Sequence, residues 1–215
     1  MRQQIEAVIF DADGTLVDSE TPGLDVLHEQ ALALGLSWER AALHERFRGV
    51  RMAECAASLA AEAGRHEPEF AEAFLQQVRA AMAERFRRGL SPMAGAEALL
   101  RRLTLPFCIA TNGPREKVEL TLGLTGLLPL VQDRLYSAYE VGSFKPEPGL
   151  FLHAAADMGV APVRCAVVED SLPGVQAGLA AGMQVFTLLP RQQAPLALHE
   201  QVVFIRELAE LERYF

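Results

Sequence analysis

The sequence predicts an α/β fold, a mostly parallel sheet flanked by helices, into which an all-helical segment is inserted. Three observations in the 215-residue chain carry that expectation. Short apolar runs rich in β-branched and aromatic residues recur at 7–10, 107–111, 134–138, 165–168, 184–188 and 202–205, with the length and composition of buried strands. From residue 107 onward these runs alternate with helical patterns, as strands and their crossover helices do in a parallel sheet. Residues 22–90 break the alternation, being alanine-rich and helical in period with no convincing strand.

Taken in order, the first run, Ala7-Val8-Ile9-Phe10, is apolar throughout, as in a strand covered on both faces. The insertion predicts helices over 24–34, 40–47, 53–63 and 68–86, with Gly35, Gly49, Gly64 and Gly89 at their ends. The α/β pattern resumes with helices over 96–103, 116–124, 149–158 and 175–181. Pro114 suits the first helical position of the second of these, and Gly182 suits the end of the last. A Rossmann-like core of residues 1–17 and 90–215 is therefore expected, with a helical insertion of 18–89 and hinges near 16–20 and 89–94.

Half of the residues are hydrophobic and 22% charged, and 16 glycines with 12 prolines are ordinary for a globular chain, which sets aside collagen-like, low-complexity and disordered classes. A chain of this size buries roughly 70% of the surface its unfolded form exposes, so a core needs no staples. With 28 acidic against 20 basic residues, a net charge of −8 and no long basic run, nucleic acid is not an expected partner. Cys55, Cys108 and Cys165 are an odd number without CxxC spacing, each in an apolar setting, which fits buried thiols in a reducing compartment. Glu6 stands where a signal peptide would carry its apolar stretch, and no run of about 18 apolar residues occurs. The expectation is a cytoplasmic protein without a membrane partner, a monomer or weak homodimer.

The sharpest chemical signal is Asp11-Ala12-Asp13-Gly14 directly after the first strand. Ligands of open parallel sheets bind beyond the carboxyl ends of the strands. Two carboxylates about 4 Å apart repel by ~4 kcal/mol at an effective dielectric of about 20, so the pair calls for a cation, a shared proton or solvent. A hard, oxygen-ligated divalent ion, magnesium above all, answers that need, whereas the ordinary alternative is an acidic turn. A second strand end, Thr111-Asn112-Gly113-Pro114, offers a hydroxyl and turn amides for an anion at a helix start, or merely ends a strand. Lys145, between Phe144 and Pro146, is either solvated or a fixed point charge beside a phosphate site. Glu169 and Asp170 end another apolar strand and could complete the oxygen shell begun at Asp11. Acid, hydroxyl, lysine and acid at separate strand or loop ends are jointly far more specific than any one alone.

In chain order, Asp11-Ala12-Asp13-Gly14-Thr15, Thr111-Asn112, Lys145-Pro146 and Glu169-Asp170-Ser171 resemble the four motifs of the haloacid dehalogenase superfamily of phosphatases and phosphomutases, over essentially the whole chain. The insertion resembles the helical cap of its β-phosphoglucomutase and phosphoglycolate phosphatase branch. Phe47-Arg48-Gly49-Val50-Arg51 and the turn at Thr111 resemble bacterial sugar-phosphate phosphatases, those for 6-phosphogluconate among them. The resemblance implies that Asp11 is a nucleophile that becomes an aspartyl-phosphate and that Asp13 is the general acid and then base. It further implies a magnesium ion on Asp11, the Asp13 carbonyl and Asp170, with Glu169 as a further candidate. Thr111, Asn112, Gly113 and Lys145 would hold the phosphoryl group, and Arg48 and Arg51, with Glu20 a weaker candidate, would meet the leaving group. The expected substrate is then a sugar phosphate or a phosphorylated sugar acid such as 6-phosphogluconate. Thr15 is the form more usual in phosphatases, mutases of the superfamily often carrying valine there. A phosphomutase on the same scaffold is the first alternative. A phosphate-switch receiver domain is a second, opposed by the helical insertion and by the acidic pair at the first strand.

Overall fold

The computed structural model describes residues 4–131 and 134–215; Met1 to Gln3, the start of the stretch read for a signal peptide, lie outside the described residues. Among the described residues six strands form one sheet: β1 Ala7–Phe10, β2 Phe107–Thr111, β3 Leu135–Ser137, β4 Cys165–Glu169, β5 Gln184–Thr187 and β6 Val202–Phe204. Their order is β3-β2-β1-β4-β5-β6 and every pairing is parallel, which sharpens the expected mostly parallel sheet. β1 is central, with Ile9 between Cys108 of β2 and Val167 of β4. All four of its residues are buried, which is why the run carries no polar residue.

The chain divides into two compact units, Met1–Val17 with Ser91–Phe215, and Asp18–Leu90. The second unit is four helices: α1 Glu20–Ala33, α2 Arg40–Phe47, α3 Met52–Glu62 and α4 Pro68–Arg88. Leu27, Leu43, Leu59, Val78 and Phe86 bring all four into one apolar core. Helix α1 begins one turn earlier than the 24–34 expected. Pro22 and Gly23 read as breakers in sequence, but the first-turn N–H groups of a helix have no intrahelical partner, so a proline there removes nothing.

The sheet unit adds α5 Ala96–Arg102, α6 Arg115–Leu124, the single turns α7 Leu128–Val131 and α8 Ala138–Val141, α9 Gly149–Asp157 and α10 Leu172–Ala180. Ile9, Cys108, Val167 and Val185 present one face of the sheet to Leu150, Phe151 and Ala154 of α9 and Val175 of α10. The fully buried Phe10 meets Phe107 edge to face at 6.1 Å, and truncating it to alanine would cost about 3–5 kcal/mol. β3 stops at Ser137, short of the 138 expected, because the Ser137 side chain accepts from the Tyr139 N–H and turns the chain into α8. Pro114 precedes α6 rather than opening it, its extended ψ of 147° leaving its carbonyl to accept from Val118 N–H. Gly182 stands just past α10 with φ +72°. Among the described residues no helix is long and apolar enough to cross a membrane.

Candidate active site

β2, β1 and β4 run side by side, and at the same edge of the sheet β2 ends in Thr111, β1 runs into Asp11, and β4 ends in Glu169 followed by Asp170. The strand order reverses direction between β1 and β4, the crevice where open parallel sheets hold ligands. Asp11 N–H still bonds Val168 O at 3.0 Å, so the β1 ladder fixes the backbone that carries its carboxylate.

Lys145 reaches this edge from the loop before α9. Its ammonium donates to Asp11 Oδ1 at 2.5 Å and to Glu169 Oε1 at 2.6 Å, and lies 4.9 Å from the ring centre of Phe151. Its side chain is 2% exposed, so this is a buried charge with two carboxylate partners. The loop is clasped by Asn112, whose Oδ1 accepts from Lys145 N–H at 2.9 Å and whose Nδ2 donates to Lys145 O at 3.2 Å. Asn112, expected at the phosphate, therefore has its side chain on the lysine loop. Glu169 is wholly buried; its second oxygen, Oε2, accepts from the N–H and hydroxyl of Ser171 at 3.0 and 2.9 Å. A β-carbon on Gly174 would fall 1.9 Å from the Glu169 carboxyl carbon, so α10 can approach only because that residue is glycine.

Asp170 accepts from the buried Thr15 hydroxyl at 3.1 Å. Gly14 has φ +79°, and a β-carbon there would lie 2.1 Å from Asp170 Oδ2, so both conformation and space demand glycine between the two motifs. Asp13 turns its side chain to Lys117 of α6. Thr111 Oγ1 accepts from Gly113 N–H at 3.0 Å, and Ser137 donates to Gly113 O at 2.7 Å, which fixes the turn between β2 and α6. Lys117 and Ser137 were not foreseen. A serine closing a buried strand next to β2 is a signal that could have been read, whereas nothing near Lys117 in sequence marks it.

Burial pushes the Asp11 carboxyl up to about 7; Lys145 pulls it back, while Glu169 and Asp13 add to the rise. For Lys145 burial acts downward, but Asp11 and Glu169 outweigh it and hold the ammonium above the ordinary lysine value. Asp11, Glu169 and Asp170 each offer an oxygen within 4.8 Å of the others, all hard donors of the kind divalent cations take. Counting Asp13, four carboxylates face two lysines, a formal surplus of two negative charges that adds to the effect of burial on Asp11. A divalent ion fits that donor set and that charge.

The arginines singled out in sequence lie in the helical unit. Arg48 pairs with Glu20 at the start of α1, and Arg51 Nε donates to Glu54 at 2.7 Å. Both side chains are roughly half exposed.

A family model described as haloacid dehalogenase-like hydrolase matches residues 5–182. The chain belongs to that family. It is 34% identical to 6-phosphogluconate phosphatase of Escherichia coli, over 97% of this chain and 93% of that one, and 32% identical to hexitol phosphatase A of the same organism, over 93% and 94%. Among solved structures, a haloacid dehalogenase family hydrolase from Deinococcus radiodurans, crystallised with phosphate and sodium, is 32% identical with a TM-score of 0.73, covering 96% of this chain and 93% of that one. This haloacid dehalogenase-like hydrolase thus gathers Asp11, Thr111, Lys145, Glu169 and Asp170 at the carboxyl edge of an all-parallel sheet.

Proposed function

We propose that this hydrolase is a magnesium-dependent phosphatase of small phosphate monoesters, sugar phosphates or phosphorylated sugar acids such as 6-phosphogluconate, acting through a phosphorylated Asp11. One observation carries it: the Asp11 carboxylate lies 2.5 Å from a buried ammonium that Glu169 anchors from the other side. A nucleophile is thereby held beside the positive charge that an anionic substrate needs. Relatives named as phosphatases of 6-phosphogluconate and hexitol phosphates support the substrate class.

An Asp11 carboxylate oxygen attacks phosphorus, and the bond to the leaving oxygen breaks as Asp13 gives that oxygen its proton. Asp13 then takes a proton from the water that attacks phosphorus, which frees Asp11 and releases inorganic phosphate. Lys145 and the Thr111 hydroxyl hold phosphoryl oxygens in line, while Asn112 keeps the lysine loop in place and Gly113 shapes the turn beside it. Asp11 and Asp170, with the backbone carbonyl of Asp13, would hold magnesium, which would supply positive charge against the phosphoryl oxygens. Glu169, with Oε1 accepting from Lys145 and Oε2 from Ser171, would be a further ligand of the same ion through a remaining lone pair.

Arg48 and Arg51 are proposed to bind an anionic part of the leaving group, each now held by a carboxylate that such a ligand would replace. The setting is proposed to be cytoplasmic and the protein a monomer or weak homodimer, with the −8 net charge opposing nucleic acid. The test is phosphate release from a panel of sugar phosphates and phosphorylated sugar acids, with magnesium and with a chelator. Magnesium-dependent release, highest on the sugar acids, is expected. Isomerised ester without free phosphate would replace this proposal with a phosphomutase, and release indifferent to the chelator would remove the metal.

A further inference from the structure

We propose that Lys117 selects substrates whose leaving group carries an anion, favouring a carboxylate-bearing phosphate ester over its neutral counterpart; this rests on the phosphatase proposed above. The two lysines of the site differ in kind. Lys145 is buried and shared between two carboxylates, so its charge is committed to the phosphoryl position. Lys117 contacts the side chain of Asp13, and each of that pair is about one quarter exposed, 24% and 26%. Asp13 is the group that protonates the leaving oxygen, so the leaving group lies against Asp13 and within the reach of the lysine that touches it. Gly113, at the turn into α6, lies beside the pair: a β-carbon there would make ordinary contact with Asp13 Oδ2 at 3.6 Å.

A second observation concerns the helix. Lys117 is the third residue of α6, following Arg115 and Glu116. A cation in a first helical turn faces the positive end of the helix macrodipole, which disfavours it there. Lys117 is thus placed against the helix's own preference, next to a carboxylate that the chemistry uses. An entering carboxylate can take over the ammonium from Asp13 with no loss of ion pairing, and the macrodipole then adds to the attraction instead of opposing the lysine alone. A neutral leaving group has nothing to offer in exchange.

The experiment compares kcat/KM for 6-phosphogluconate and for sorbitol 6-phosphate, two open-chain six-carbon 6-phosphates that differ at carbon 1. It uses the wild-type chain, Lys117→Met and Lys117→Arg, with Lys117→Gln as a second neutral variant should methionine disturb folding in a thermal melt. The preference for the acid is expected to fall at least about tenfold in the neutral variants, equivalent to about 1.4 kcal/mol, as KM for the acid rises relative to KM for the neutral ester while any change in kcat is shared by both, and to return with arginine. A preference that changes less than about threefold, or a wild-type chain with none to lose, overturns the assignment of Lys117 while the phosphatase stands. A wild-type chain that hydrolyses neither ester overturns the phosphatase and this inference together.

Discussion

At Asp11 two effects oppose one another: burial strips water from a carboxylate, and Lys145 returns part of that stabilisation through one short ion pair. The balance leaves the group near 7 in the ion-free chain against an ordinary 3.8, so the folded state binds its proton more tightly than the unfolded state does. The stability that this proton confers is complete below about pH 4 and is lost as pH rises through about 7. Ion-free protein is therefore expected to melt at a lower temperature at pH 8 than at pH 5.5. Magnesium should raise the midpoint more at pH 8, where it does not compete with the proton. Thermal melts of wild type and Asp11→Asn check this, the variant being expected to lose most of the pH dependence. A wild-type response to magnesium equal at both pH values would contradict the electrostatic picture of the site.

Between elements, the contact that matters most is the clasp of Asn112, at the end of β2, on the backbone of Lys145 before α9. It ties two loops that the sheet alone does not join. Asn112→Ala should lower kcat by on the order of tenfold or more, since misplacing a catalytic group by about 1 Å costs up to a hundredfold. The melting temperature should fall by only a few degrees, as two hydrogen bonds of about 1 kcal/mol each are lost. Steady-state kinetics beside a melt separate the two, and an unchanged kcat would place Lys145 under other control.

The same scale explains what the sequence could and could not disclose. Apolar runs closed by Asp11, Thr111 and Glu169 were legible because a buried strand tolerates polar residues only where it ends. The side-chain task of Asn112 was hidden, because turn asparagines satisfy local amides as readily as distant loops. The pairing of Asp13 with Lys117 spans over a hundred residues and follows no local rule; only the docking of α6 on the sheet, where it packs against β3, creates it. Helix α1 was misjudged by a turn because Pro22 and Gly23 break helix interiors but not helix starts.

Over the whole molecule, each unit has an apolar core of its own, one beneath the sheet and one among four helices. The parallel sheet follows from strand runs with no polar alternation, and the helical unit from a segment with no strand pattern. All three cysteines are buried, and burial pushes the Cys55 and Cys165 thiols up to about 12 and about 11. They are inert packing groups, and the chemistry falls to carboxylates. The central claim is that Asp11 is the nucleophile, and the most direct measurement is magnesium-supported phosphate release by Asp11→Asn against wild type at saturating substrate. Asn keeps the shape of the side chain but loses the anion, so turnover is expected to fall by about a thousandfold or more. A variant that keeps a tenth or more of wild-type turnover would show that another group attacks phosphorus.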